Sequence, residues 1–234
     1  MICYKLCILI YLVVVGYSNP IPPSTDKEEV TMAKVTRRLN EEKFCDFPDV
    51  AAYKVYKNYK WKKHNLTYRI ENYSPKLSKD EVDDTIKRAL QVWSDVSPLR
   101  FTRIFSGTAD IMIGFAVGDH GDGMTFNGSG GDLAHAIAQY EGSVVHFDDD
   151  EDFTTSNSRY KFLHVAAHEV GHTLGLNHST YLGAVMYEQY IDRDTDLFAL
   201  SQDDIHSIQS IYGPPNPDKK PVPKRINNNN LQSC

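Results

Sequence analysis

His168-Glu169-Val170-Gly171-His172 sets two imidazoles four residues apart, and the chain runs on through Thr173-Leu174-Gly175-Leu176-Asn177-His178. On a helix, residues i and i+4 lie one turn apart on one face, which is the spacing two histidines need to share a metal ion. Gly175 can take the left-handed conformation that ends a helix and turns the chain back, and that return delivers His178 as a third ligand. Three nitrogen ligands leave the fourth position of a zinc ion open for water, as in a catalytic rather than a structural site. Zinc brings the pKa of that water toward about 7, and a carboxylate beside it can take the proton. Glu169, next to the first ligand, is that carboxylate. An ion held by three neutral histidines keeps its full charge and can also polarise a peptide carbonyl. The chemistry these residues point to is metal-assisted hydrolysis.

A second set of metal-binding side chains lies upstream. His120-Gly121-Asp122, His135 in Leu133-Ala134-His135-Ala136, and His146 in Val145-His146-Phe147-Asp148 provide three imidazoles and one carboxylate. Four protein ligands close a tetrahedral zinc ion, so a structural zinc is expected there. Asp148-Asp149-Asp150-Glu151-Asp152 crowds carboxylates together, and these repel one another unless a cation sits among them. Calcium, which takes roughly six to eight oxygens, is the natural guest.

The elements that must position these residues are legible as apolar periods. Ser78-Lys79-Asp80-Glu81 is a capping box opening a helix with Val82, Ile86, Leu90 and Trp93 on one face, and that helix should stop before Pro98. A second helix is expected over 160–174, carrying the first histidine pair. A third is expected over 201–212, with Ile205, Ile208 and Ile211 inward and Gly213-Pro214-Pro215 as its stop. Strand-like runs fall at 66–70, 99–105, 111–117, 133–138 and 143–147, with a Gly/Asp-rich loop over 118–132.

The chain of 234 residues is 41% hydrophobic and 24% charged, enough apolar material for one packed core and too little charge for wholesale disorder. Lys and Arg number 25 against 31 Asp and Glu, a net charge of −6, which argues against a phosphate-neutralising nucleic-acid binder. Residues 1–18, with Lys5 ahead of an apolar run over 6–15 and a small-residue end, read as a secretory signal peptide. That run is too short to span a bilayer, and no later stretch could span one. Its removal leaves Cys45 and Cys234 in a compartment where disulfides are permitted. The two either pair with each other or leave Cys45 a free thiol with a role. Asn65-Leu66-Thr67 and Asn72-Tyr73-Ser74 are glycosylation sequons. Beyond 213 the chain is rich in Pro, Lys and Asn and reads as a flexible tail.

Ser179 follows the third histidine directly, and Ala184-Val185-Met186-Tyr187 has the form of a Met-turn. Together with the two histidine sets, these residues make the stretch 45–213 resemble the matrixins, the secreted matrix metalloproteinases of the metzincin group. The resemblance implies a single α+β catalytic domain over 53–213, a metzincin zinc-protease domain with a twisted mixed five-stranded sheet and three helices. A signal peptide (1–18) and a short propeptide (19–52) would precede it, and the tail (214–234) would follow. The implied activity is that of a metalloendopeptidase secreted to the extracellular space or matrix, with protein or peptide substrates. No hemopexin-like segment is expected after 213, so extended or denatured substrates are expected over intact triple-helical collagen. Tissue inhibitors of metalloproteinases are the implied partners, and a monomer with no membrane span is the implied state.

The same resemblance assigns roles residue by residue. Met186 would form an apolar floor beneath the zinc. Asp148 and Glu151 would join main-chain oxygens of Gly128, Gly130 and Asp132 around calcium, with Asn127 standing where the family has an aspartate. Asp110 matches a ligand of a further calcium, although Val144 occupies the place of its expected aspartate partner. Phe44-Cys45-Asp46-Phe47-Pro48-Asp49 resembles the propeptide cysteine switch, in which the Cys45 thiolate takes the fourth zinc position. Phe44 replaces the usual arginine there and Asp46 the usual glycine, so weaker latency is expected. His164 and Tyr190 fall at the S1′ pocket, where an imidazole would favour modest aliphatic residues, and Glu188 replaces a usual proline. Two rival readings are a catalytically silent zinc-binding module, opposed by the presence of Glu169, and a different metzincin protease, opposed by Ser179 and the second histidine set.

Overall fold

Alternating burial and helical burial divide the chain much as the apolar periods predict. The computed structural model describes residues 51–55, 59–139, 142–155, 160–192 and 198–217. The signal peptide, the cysteine-switch segment with Cys45, and the tail from 218 with Cys234 lie outside the described residues.

The strands are β1 (Ala51–Val55), β2 (Asn65–Ile70), β3 (Arg100–Arg103), β4 (Ile111–Ala116), β5 (Ala134–Gln139) and β6 (Gly142–Asp148). They form one sheet in the order β1-β5-β6-β4-β2-β3. Only β5 and β6 pair antiparallel, while every other pair in that sheet is parallel. The sheet is therefore mixed, as expected, and β1 adds a sixth strand to the expected five, with Ala51 opposite Ala134 and Val55 opposite Ala138. In β2, Leu66, Tyr68 and Ile70 turn inward and their neighbours outward, the period-two pattern of a half-buried strand. A small ribbon pairs β7 (Phe153–Thr154) with β8 (Tyr160–Lys161). It takes residues 160 and 161, which the apolar period had assigned to the following helix.

Helix α1 (Lys79–Val96) opens on the Ser78–Glu81 capping box and buries Val82, Ile86, Ala89, Leu90 and Trp93. Helix α2 (Phe162–Thr173) is buried along its whole length, its polar residues His164, His168, Glu169, His172 and Thr173 included. Trp93 Nε1 donates to the Ala167 carbonyl at 2.9 Å, tying α1 to α2. Helix α3 (Gln202–Tyr212) opens on a second capping box, Ser201–Asp204, and sets Ile208 in the core. No helix among the described residues is long and apolar enough to cross a membrane.

The end of α2 decides where His178 goes. Leu176 N donates to Gly171 O at 3.1 Å and Gly175 N to His172 O at 2.9 Å, the paired bonds of a Schellman stop. Gly175 has φ +91, and a Cβ there would lie 2.4 Å from the Tyr59 carbonyl oxygen, so only glycine fits. The last carbonyls are satisfied from outside the helix: Trp61 Nε1 donates to Thr173 O at 2.8 Å and Tyr212 OH to Leu174 O at 2.9 Å.

Candidate active site and metal centres

His168 and His172 both lie on the buried α2 helix, and each ring is oriented by a main-chain carbonyl. His168 Nδ1 donates to Val185 O at 2.7 Å and His172 Nδ1 to Leu176 O at 2.8 Å. A carbonyl only accepts, so both protons reside on Nδ1 and both Nε2 atoms present lone pairs. Those two Nε2 atoms face each other 3.0 Å apart. Burial, above all, pushes His168 down to about 3 and His172 well below its usual value, which keeps both imidazoles neutral. The His178 ring completes the group, with its centroid 5.2 Å from that of His168 and 4.9 Å from that of His172. One ligand atom from each of the three lies within 4.8 Å of the others. Two facing lone pairs repel unless a cation lies between them. Tetrahedral zinc at about 2.0–2.1 Å from each nitrogen would set them roughly 3.3 Å apart, so the donor set fits zinc. Glu169 is fully buried beside His168.

The Met-turn approaches from below. Met186 is 1% exposed, and its Sδ lies where a Cβ on Gly171 would come within 2.3 Å. The glycine inside helix α2 is thus a steric requirement of Met186. One residue that sequence reasoning missed holds this turn in place. The fully buried Asp204 accepts from Val185 N at 2.9 Å and Met186 N at 3.1 Å, and also from Ser201 N and Oγ at 2.8 Å each. The Ser-x-x-Asp spacing was a legible cap signal. That the same carboxylate also reaches the Met-turn was not. The carbonyls of Val185 and Leu176, which fix the two histidine tautomers, were equally invisible.

Beside His168 an open recess is lined by His164, Val185, Tyr187, Tyr190 and Ile191. His164 is 8% exposed and presents its edge to Tyr190 at 6.1 Å and Phe198 at 5.0 Å between ring centroids. The Tyr190 hydroxyl accepts from Lys161 N at 2.9 Å. Glu188 is on the surface.

The second histidine set also converges. Asp122 Oδ2 lies 3.0 Å from His120 Nε2, 2.8 Å from His135 Nε2 and 2.9 Å from His146 Nδ1. His120 Nδ1 donates to Gly118 O at 2.9 Å, leaving its Nε2 as an acceptor. Phe126 stacks on His135 and His120 at 4.6 and 5.1 Å between centroids. Burial works to raise the Asp122 carboxyl, yet the Met124 N–H and the imidazoles of His135 and His146 outweigh it and hold the group well below the usual carboxylate range. Burial lowers His135 and His146. Four converging donors, His135 buried and the other three partly exposed, suit a closed structural zinc.

At the acidic run, Asp148 and Glu151 are 0% and 1% exposed. Asp148 Oδ1 accepts from Asp150 N at 2.9 Å and Glu151 Oε1 from Gly130 N. Their second oxygens, Asp148 Oδ2 and Glu151 Oε2, are buried with no hydrogen-bond partner among the described residues. Burial, reinforced by the neighbouring carboxylates of Asp150, Glu151 and Asp149, pushes the Asp148 carboxyl up. Buried acidic oxygens without donors are what a hard cation satisfies, so these two fit calcium. Gly128 and Gly130 turn the facing loop at φ +83 and +90. Asn127 Oδ1 accepts from Asp132 N at 3.2 Å, so this side chain braces the loop. Asp110 stands apart from this site, at the start of β4, with both oxygens engaged by Lys63 and Thr67.

A histidine pair on a buried helix, a third histidine returned by a glycine turn and a methionine floor, all beside a mixed sheet, define a metzincin-type domain. The matrixin family model matches residues 60–213, and the chain belongs to that family of metalloendopeptidases. It is 52% identical over 173 residues to interstitial collagenase of Sus scrofa, which covers 73% of this chain and 36% of that protein. Matrix metalloproteinase-18 of Xenopus laevis is 44% identical over 233 residues, 92% of this chain and 50% of its own length. Stromelysin-1 of Mus musculus is 48% identical over 199 residues, 82% of this chain and 42% of its own. The chain thus spans about a third to a half of the length of these relatives.

Proposed function

We propose that this chain is a secreted zinc-dependent endopeptidase that hydrolyses peptide bonds of extracellular, matrix-type proteins with Glu169 as general base. The observation that carries the reading is the pair of carbonyl-oriented imidazoles whose Nε2 atoms face each other at 3.0 Å, with His178 beside them. A zinc ion bound there supplies an acidified water and a Lewis acid for the scissile carbonyl. Glu169 takes the proton of the attacking water on its carboxylate and returns it to the departing amine. Val185 and Leu176 keep the imidazoles in the ligating tautomer through both steps. The recess beside His168 receives the side chain after the scissile bond, and His164 and Tyr190 limit its depth, favouring modest aliphatic residues.

The remaining roles support that activity. His120, Asp122, His135 and His146 hold a structural zinc. Asp148 and Glu151, with main-chain oxygens of Gly128, Gly130 and Asp132, hold a calcium ion on a loop braced by Asn127. Cys45 keeps the zymogen latent from a short propeptide over 19–52 that follows a cleaved signal over 1–18, and the catalytic domain runs over 53–213. The names of the relatives, collagenase and stromelysin, point to matrix substrates, and tissue inhibitors of metalloproteinases suit the same cleft.

The test is cleavage of a quenched peptide library by the full chain carrying Cys45→Ser. Cleavage abolished by a zinc chelator, and by Glu169→Ala without loss of fold, is the expected result. His164→Leu should shift the profile toward longer residues after the cleaved bond. A folded, zinc-loaded Cys45→Ser chain that cleaves nothing overturns the reading.

A further inference from the structure

Asp110 ends the connection into β4, and every polar atom it carries is engaged by the protein. Its Oδ2 accepts from Thr67 N at 2.7 Å and Thr67 Oγ1 at 2.9 Å. Its Oδ1 lies 2.8 Å from the Lys63 ammonium. Its own N–H donates to Thr67 Oγ1 at 3.0 Å, and its carbonyl accepts from Ser143 N at 2.8 Å. The Asp110 side chain is 16% exposed and that of Lys63 57%, so the carboxylate is sheltered while the ammonium bridges it to solvent.

These surroundings have the wrong polarity for a metal ion. A calcium ion needs roughly six to eight oxygens turned toward it. Around the Asp110 carboxylate stand an amide N–H, a hydroxyl donor and a positive charge. The neighbouring strand β6 offers no second carboxylate here: Ser143 and Val144 pair with Ile111 and Met112, and the Ser143 hydroxyl is hydrogen-bonded to Tyr59 OH at 3.2 Å. A divalent ion arriving at Oδ1 would meet the ammonium at contact distance.

We propose that Lys63 is the resident cation of Asp110, so that where resemblance implies a second calcium this chain provides an ammonium from its own approach to β2 and binds no metal ion. The Lys63–Asp110 pair then does by itself what a bound ion would do there, pinning the segment before β2 to the start of the neighbouring strand β4. This part of the fold needs no external calcium, while the Asp148–Glu151 loop does.

The experiment uses the full chain, zinc-loaded and freed of calcium, with equilibrium dialysis against calcium and thermal melts. Asp110→Asn is expected to leave the number of calcium ions bound per chain unchanged. Lys63→Glu, which sets two carboxylates face to face, should lower the calcium-free unfolding midpoint by about 3 °C or more. The same charge reversal at the neighbouring exposed Lys62 should lower it by much less. Should Asp110→Asn fail to fold, Lys63→Gln takes its place: the calcium number stays as in the parent, and the midpoint falls by about 1–3 °C, less at high salt. Loss of one calcium in Asp110→Asn overturns the proposal. So does a gain of one in Lys63→Gln, or equal midpoints for the Lys63 and Lys62 reversals.

Discussion

Replacing Asp204 by asparagine perturbs the Met-turn without touching any of the three histidines. The carboxylate accepts from Val185 N, Met186 N, Ser201 N and Ser201 Oγ, and it is completely buried. In Asp204→Asn the amide keeps its oxygen toward the Oδ2 partners and turns its NH2 against Met186 N–H, or the reverse. Either way at least one buried donor loses its acceptor, a cost of about 1–3 kcal/mol, and the surviving bonds lose the assistance of charge, roughly 1 kcal/mol more. A loss of about 2–4 kcal/mol corresponds to a fall in midpoint of roughly 4–16 °C for a domain of this size. The Met-turn is what carries Val185 O to His168 Nδ1, so zinc affinity should fall about tenfold or more. A melt of the full chain reads the first quantity, and competition with a chromophoric zinc chelator reads the second. Ser201→Ala, which removes the cap hydroxyl alone, should cost about 1 kcal/mol and leave zinc affinity where it was. An Asp204→Asn chain that melts within a degree of the parent and holds zinc equally well would refute the reasoning.

Gly171→Ala forces its new methyl against Met186 Sδ at 2.3 Å and Trp93 Cζ2 at 3.1 Å; overpacking should cost about 1–3 kcal/mol, seen in a melt, and Met186→Ala in the same chain should recover part of it. Burial raises the Tyr212 phenol to about 12 from 10.0, so its contribution is fully present below pH 10 and is lost as pH rises from 10 toward 12, on the order of 2–3 kcal/mol in all. Tyr212→Phe should therefore flatten the alkaline fall in stability measured by denaturant titration. Asp148→Asn removes a buried charge; the midpoint in calcium-free buffer should rise or hold, and its increase on adding calcium should disappear.

Much of the site is encoded within a few residues of itself. The i and i+4 histidines, the two capping boxes at Ser78 and Ser201, and the glycine stop at Gly175 each rest on hydrogen bonds or faces that close within one or two helical turns. Those elements stand where the sequence places them. Helix α2 starts two residues late, because Tyr160 and Lys161 find strand partners at Phe153 and Thr154 that no helical period can foresee.

The sequence by itself determined which residues can ligate metal and where the three helices and the five expected strands fall, since side-chain chemistry and periodicity are local properties. Tertiary structure alone decided that Val185 and Leu176 present carbonyls to the two histidines, and that Asp204 clamps the Met-turn. It alone decided that β1 adds itself to β5 and that Lys63 meets Asp110. These contacts join stretches distant in the chain, or use main-chain atoms that every residue possesses. Which of them meet is set by how the whole core packs around α2, and no short stretch of sequence carries that information.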